Sequence, residues 1–243
     1  MFLIPIMRPF LIAAAVIPAI FLLVRVYRAD KLEKEPTMLL LRLVGLGIFA
    51  TLIAMGIEEL GSLLLDLIGD SWDPTTYFLV FYFVIVAGAE EGAKYYLLKR
   101  NTWNTPSFDC QFDGVVYAVF VALGFALWEN ISYVTRYGFS TALVRAVTAV
   151  PGHACFGVFM GVWYGLAKRA EAEGRQEKSL HLRRLAVIIP MILHGAYDYI
   201  ATMGDEYTWV FILFVAALFL ASFFLIKKAS KEDRPLYGAR IDL

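Results

Sequence analysis

Apolar residues in this chain fall into long blocks separated by short polar stretches, and each block has the length of a bilayer crossing. A spanning helix needs roughly 20 apolar residues. On that ruler seven spans are predicted: Phe10–Val26, Leu39–Ile57, Tyr77–Leu98, Val115–Val134, Ala146–Leu166, Leu185–Thr202 and Trp209–Ile226. The expected fold is all-α, a polytopic membrane protein of about seven transmembrane helices in which residues 1–243 form one integral membrane domain. No repeat of fixed period and no low-complexity linker interrupts it. Asn101–Asp113, polar and containing Pro106, reads as a loop or short interfacial helix, and Ala170–Leu182 as a charged connector.

Composition agrees with the pattern. Hydrophobic residues make up 60% of the chain and charged ones only 18%, and the mean hydropathy is +0.65. These values exclude a soluble domain with a greasy core. No glycine-rich phosphate loop follows a strand and no basic-aromatic face is present, so nucleic acid is not an expected partner; membrane lipid is.

Charge distribution sets the orientation. Arg25, Arg28, Lys31, Lys34 and Arg42 flank the first connection, and Lys99 and Arg100 follow the third span. Lys168, Arg169, Arg175, Lys178, Arg183 and Arg184 fill the fifth connection, and Lys227, Lys228, Lys231, Arg234 and Arg240 the tail. The intervening loops are acidic or nearly neutral. The positive-inside rule then puts the N-terminus outside and the C-terminus in the cytoplasm, as for a multi-pass protein of a bacterial or archaeal cytoplasmic membrane. An even number of spans would break the alternation. The first span lacks a small-x-small cleavage site and reads as a retained reverse signal-anchor. Cys110 and Cys155 read as two buried, reduced thiols.

Ionisable residues inside the spans change the picture from a membrane protein to a membrane protein with a site. The third span carries Gly88-Ala89-Glu90-Glu91-Gly92-Ala93-Lys94, where Lys94 is one helical turn from both glutamates and can pair with either. Gly88 and Gly92 are expected to admit a neighbouring backbone. The fourth span repeats small residues at Gly114, Ala118, Ala122 and Ala126, with Glu129 and Asn130 beside that stripe. The fifth has His153 on the face of Gly157, Gly161 and Gly165. The sixth has His194 and Asp198 four apart, so the carboxylate can orient the ring or both can face one ligand. At 1.5 Å per residue, Glu90 and His194 lie near mid-span, with Glu129 and His153 roughly 5–8 Å toward the outside. All four can meet in one polar site enclosed between spans three to six and open toward the outer leaflet. Glu58-Glu59, by contrast, ends the second span without a basic residue one turn on and reads as solvated.

Two histidines and several carboxylates match a hydrolytic zinc site, in which three protein ligands leave a position for water and a further glutamate acts as base. The same residues allow a metal-free scheme, in which a glutamate activates water while histidine and asparagine stabilise the oxyanion. A non-enzymatic scaffold or a proton-coupled transporter could use the same Glu and His residues. A transporter would normally show internal duplication or matching broken helices, which this sequence lacks.

These residues resemble the PrsW-type intramembrane proteases, within the wider group of CAAX-prenyl and bacteriocin-processing proteases. The matching elements are Glu90-Glu91-x-x-Lys94, Phe112-Asp113-Gly114 leading to Gly124-Phe125-Ala126-x-x-Glu129-Asn130, His153, and His194-x-x-x-Asp198. Tyr27-Arg28-x-Asp30 with Glu35-Pro36 is similar to that family's start. The resemblance implies an intramembrane endopeptidase that makes a site-1-type cut, at or near the outer face, in a membrane-anchored protein, typically an anti-sigma factor in stress signalling; the donor set leaves both the zinc metalloprotease and the metal-free scheme open. Carried over, Glu90 and Glu91 would include the water-activating base. Glu129, His153 and His194 would be metal ligands or transition-state stabilisers, and Asp198 would support His194, with Lys94 and Asn130 beside them. The prenyl branch usually has histidine where Glu129 stands, which argues against a prenyl-CAAX substrate. Some members of the wider group act as scaffolds.

Overall fold

The structure, a computed structural model, describes residues 4–236 and, for residues 4–9 and 11, the main chain alone. Among these residues it is a helical bundle without strands, save an isolated bridge between Cys110 and Pro235. Helix α1 spans Ile4–Ala29 and α2 Thr37–Gly69. Helix α3, Pro74–Leu79, continues through a π-helical stretch, Val80–Val86, into α4, Ala87–Thr102. Then come α5 Asp113–Tyr137, α6 Phe139–Val147, α7 Ala149–Ala172, α8 Gln176–Ala201 and α9 Thr208–Lys231. Six rods are long and apolar enough to cross a membrane: Ile12–Ala29, Thr37–Gly69, Pro74–Thr102, Asp113–Tyr137, Phe139–Ala172 and Asp205–Lys231. The remaining expected span is α8, 26 residues long. It misses that hydropathy because its first turns are basic and His194 and Asp198 interrupt its apolar half.

Two boundaries differ from the sequence reading. Helix α2 does not stop at Ile57 but runs on to Gly69, 33 residues in all. At 1.5 Å per residue that is about 50 Å, against about 30 Å of hydrocarbon core. Glu58 therefore lies within a continuous helix and is half-buried. The residues before Ala146 are not a loop either. They form the short amphipathic α6, broken from α7 at Thr148 (φ −121°, ψ −77°).

Helix α5 is the axis of the bundle: 78% of its apolar stretch is buried, against 17% for α1 and for α9. Small residues allow this. At the crossing with α2, a Cβ added to Gly124 would stand 2.2 Å from the Val44 carbonyl oxygen, and one on Gly47 2.1 Å from that of Val121. On the other side, the two small-residue stripes seen in the sequence pack on each other. Gly157 lies against Ala118, Val119 and Ala122, and Gly161 against the Gly114 carbonyl. Gly88 and Gly92 do not admit a backbone. A Cβ on Gly92 would meet nothing within 4 Å, and this edge lines an apolar groove with Ile57, Gly61, Val84 and Ile85.

The basic helix ends gather at one end of the bundle. Arg42 Nη2 donates to Asn101 Oδ1 (2.6 Å) and Ser230 Oγ to the Ala29 carbonyl (2.6 Å). The Gln111 N–H donates to the Arg234 carbonyl (3.2 Å).

Candidate active site

Inside the bundle one chain of polar contacts threads helices α8, α4, α7, α5, α6 and α1. Asp198 Oδ2 lies 3.4 Å from His194 Nε2, and His194 Nδ1 lies 2.9 Å from Glu91 Oε1. Lys94 Nζ donates to Glu91 Oε1 (2.7 Å) and Glu90 Oε2 (3.1 Å), as their spacing on one helix face requires, and stands 3.2 Å from His153 Nδ1. His153 Nε2 lies 2.7 Å from Glu129 Oε2, which Arg145 Nη2 also approaches at 3.0 Å. Arg145 Nε donates to Asn130 Oδ1 (3.0 Å), and Asn130 Nδ2 to the Ala15 carbonyl (2.9 Å). All six expected site residues, with Lys94 and Asn130, are thus joined in one network.

The π-helical stretch, Val80–Val86, ends one helical turn before the glutamates, and such stretches are frequent at functional sites. Glu91 is 0% exposed and Lys94 1%, and His153, His194 and Glu90 are also buried. The side chains of Glu129 and Asp198 are 20% and 24% exposed. The centre therefore opens toward the ends of α5 and α8 farther from the basic end. Aromatic rings wall it. Lys94 Nζ sits 3.9 Å above the Phe125 ring, and Phe156 stacks on His194 with centroids 4.8 Å apart and 21° between planes.

Hydrogen-bond logic assigns the rings. An ammonium can only donate, so His153 Nδ1 accepts from Lys94 and its Nε2–H points at Glu129. Both nitrogens of His194 face carboxylate oxygens, an arrangement that suits imidazolium.

The donor set also fits a metal. Glu90, Glu91, His153 and His194 each offer a ligand atom within 4.8 Å of the others, the Glu91 Oε2 atom is buried without a partner, and imidazole with carboxylate is zinc chemistry. Glu129, expected from the sequence among the ligands, stands outside this group of four. Its carboxylate is engaged by His153 and Arg145 on the open side.

Sequence reasoning missed three contributors. Arg145 falls in a nearly neutral loop just before the fifth expected span and is not among the expected site residues; its signal was a cation next to an apolar span. Glu58 is not simply solvated. It interacts electrostatically with Glu129, Lys94, His194 and Asp198, a placement hidden until α2 was seen to continue past it. Phe156 carries no sequence signal that separates it from other apolar packing, whereas Phe125 lies in the matching Gly124-Phe125-Ala126 element.

Comparison with known proteins adds an independent line. A family profile described as PrsW family intramembrane metalloprotease matches residues 35–226. Proteins named Protease PrsW are similar over most of the chain. That of Geobacillus kaustophilus (strain HTA426) is 32% identical, covering 93% of this chain and 94% of its own length. That of Bacillus subtilis (strain 168) is 33% identical, covering 91% and 94%. That of Clostridioides difficile (strain 630) is 31% identical, covering 83% and 82%. No solved structure matches the chain.

Proposed function

This chain belongs to the PrsW family of intramembrane metalloproteases, and from that premise we propose that it adds water to a peptide bond of a membrane-anchored protein at the centre between α4, α5, α7 and α8. The observation that carries the proposal is the gathering of Glu90, Glu91, His153 and His194 with donor atoms within 4.8 Å of one another. A membrane interior makes such a gathering costly unless it serves a function.

The surroundings of each residue support its role. Glu90 is the base: its side chain keeps 9% exposure where that of Glu91 has 0%, so it is the carboxylate that water reaches, and a carboxylate oxygen takes the proton. Glu91, bonded to Lys94 and His194, holds both in place. The proton that Glu90 takes passes on to the leaving amine, and His194, held between Glu91 and Asp198, faces the centre as a metal ligand or transition-state stabiliser. Phe125 and Phe156 exclude bulk water, and Arg145 with Asn130 fixes Glu129, which in turn holds His153. His153, His194 and a glutamate of α4, in place of or together with Glu129, would hold a zinc ion, which when bound would polarise the scissile carbonyl and acidify its water. A metal-free reading rests on one observation: Lys94 Nζ already supplies a cation 2.7–3.2 Å from Glu91, Glu90 and His153.

The substrate class follows from the resemblance given above: an anti-sigma factor, cut near the outer face. The gathering of the basic helix ends at one end of the bundle supports a cytoplasmic C-terminus and an outward opening in a bacterial or archaeal membrane. Arg240, counted in the basic tail, lies outside the described residues.

The test is cleavage of a co-expressed membrane-anchored anti-sigma factor. Glu90→Gln, Glu91→Gln and His194→Ala should each leave a folded protein, and at least two should lose about a hundredfold or more in cleavage. Because the residues act as a unit, the double mutants should be little worse. Full cleavage by Glu90→Gln/Glu91→Gln would overturn the mechanism. Metal analysis of the wild type beside His153→Ala/His194→Ala decides between the zinc and metal-free readings.

A further inference from the structure

At the basic end of the bundle a second set of acidic side chains gathers, three of them buried, two half-buried and Glu33 exposed, and the reaction above does not use it. Three segments supply it: Asp30, Glu33 and Glu35 between α1 and α2, Asp109 and Asp113 at the start of α5, and Asp233 just past α9. Asp30, Glu35 and Asp113 are 2%, 4% and 0% exposed. Both carboxylate oxygens of Asp30 and of Glu35 are buried without a hydrogen-bond partner, as is one oxygen each of Asp109, Asp113 and Asp233. Few donors serve them: the Tyr117 hydroxyl lies close enough to Glu35, and the Glu33 N–H to Asp30, to favour their charged forms, but the shortest contacts of the side-chain donors go to main-chain oxygens. The Tyr117 hydroxyl donates to the Ser107 carbonyl (2.7 Å), and the Lys34 ammonium to the carbonyls of Tyr27 and Asp30. Among the described residues no ion pair reaches these five carboxylates.

The spacing is that of an ion's coordination sphere. Glu33, Asp109, Cys110 and Asp113 each offer a ligand atom within 4.8 Å of the others. Two oxygens on opposite sides of a calcium ion, at about 2.3–2.6 Å each, are about 4.6–5.2 Å apart. The backbone fixes one oxygen of the anchoring carboxylates and leaves the other open. Asp113 Oδ2 accepts the N–H groups of Asp109 (3.1 Å) and Cys110 (2.7 Å), while Oδ1 has no partner. Asp233 Oδ1 accepts those of Phe112 (2.8 Å) and Arg234 (2.9 Å), while Oδ2 has none. Burial first, opposed by a hydrogen bond from Tyr117 and reinforced by Glu33, Asp30 and Asp109, pushes Glu35 up to about 7. Carboxylates gathered this closely, with Asp113 buried among them, repel one another and call for a counter-ion.

We propose that this cluster binds a hard divalent cation of the Mg2+, Mn2+ or Ca2+ class, which ties the tail after α9 to the α1–α2 connection and the start of α5. The choice of ion class follows from the ligands: carboxylate oxygens predominate over one thiol, and such sets take oxygen-seeking ions.

The test uses the full-length protein, stripped with EDTA, in nanodiscs, titrated separately with Mg2+, Mn2+, Ca2+ and Zn2+. The readouts are Tm and the rate of tryptic cleavage after Lys231. At least one hard ion should raise Tm and slow that cleavage several-fold. Glu35→Gln/Asp113→Asn should abolish the effect, and Asp233→Asn, which keeps its backbone acceptor, should weaken the ion's affinity about tenfold. His153→Ala/His194→Ala should retain the effect, which separates this site from the intramembrane centre. The proposal fails if no hard ion changes either readout in the wild type, or if the effect survives loss of the carboxylates or disappears with the histidines. It fails equally if Zn2+ alone acts and Cys110→Ser removes its action, since that would be a thiolate site. An acid shift that reproduces the full stabilisation without any ion would also overturn it, by making protons the counter-charge.

Discussion

With Nζ 2.7 Å from Glu91 and 3.1 Å from Glu90, Lys94 is the counter-charge of two carboxylates in an enclosed part of the bundle. Removing one partner of a buried pair strands the other at a cost of about 3–5 kcal/mol. Lys94→Met should therefore lower the yield of folded protein and its Tm, read by detergent-solubilised size exclusion and thermal unfolding. Wild-type yield would mean that a bound metal already neutralises both glutamates. Asp198 is a different case. It touches the centre only through His194, at 3.4 Å, so Asp198→Asn should slow cleavage less than His194→Ala while leaving the fold intact, read in the same co-expression assay. Arg145→Met should be harsher than a loop charge would suggest, because Glu129 would keep only His153 as partner.

At the level of elements, helix crossings set where these side chains meet, and glycine sets the crossings. Gly124→Ala places a Cβ 2.2 Å from a main-chain oxygen that cannot step aside, so α2 and α5 must separate and Tm should fall. Gly92→Ala meets open space and should be neutral or raise Tm, since alanine is favoured over glycine within a helix by about 1 kcal/mol. Thermal unfolding of the pair checks both. The sequence made the α5–α7 contact legible, because two small-residue stripes at helical spacing need each other. It could not reveal which small residues face a helix and which line a groove, and Gly88/Gly92 read like the others. The short α6 was hidden because an amphipathic nine-residue helix leaves no span-length signal. Helix α2 was cut short because Glu58-Glu59 reads as an interface when the helix beyond it is not considered.

For the whole molecule, span count and charge alternation together predict that a reporter fused to the tail is cytoplasmic and one at Asp205 external; a tail on the outer side would overturn the orientation and the direction of opening. The central site was legible because ionisable residues in apolar spans stand out one by one. The acidic cluster at the other end was not, since Asp30 and Glu35 lie among basic residues in a short connection and only folding brings Asp113 and Asp233 to them. The one-sided opening of the centre carries a further consequence for an energised membrane. With Glu91 and Lys94 sealed and Glu129 and Asp198 partly open to water, a proton exchanged with water must cross part of the transmembrane field. Half the field is worth about 1 kcal/mol per 100 mV. Cleavage in proteoliposomes should therefore change several-fold when valinomycin and potassium set or collapse the voltage at fixed pH, so that the protease would respond to the energy state of its cell as well as to its substrate.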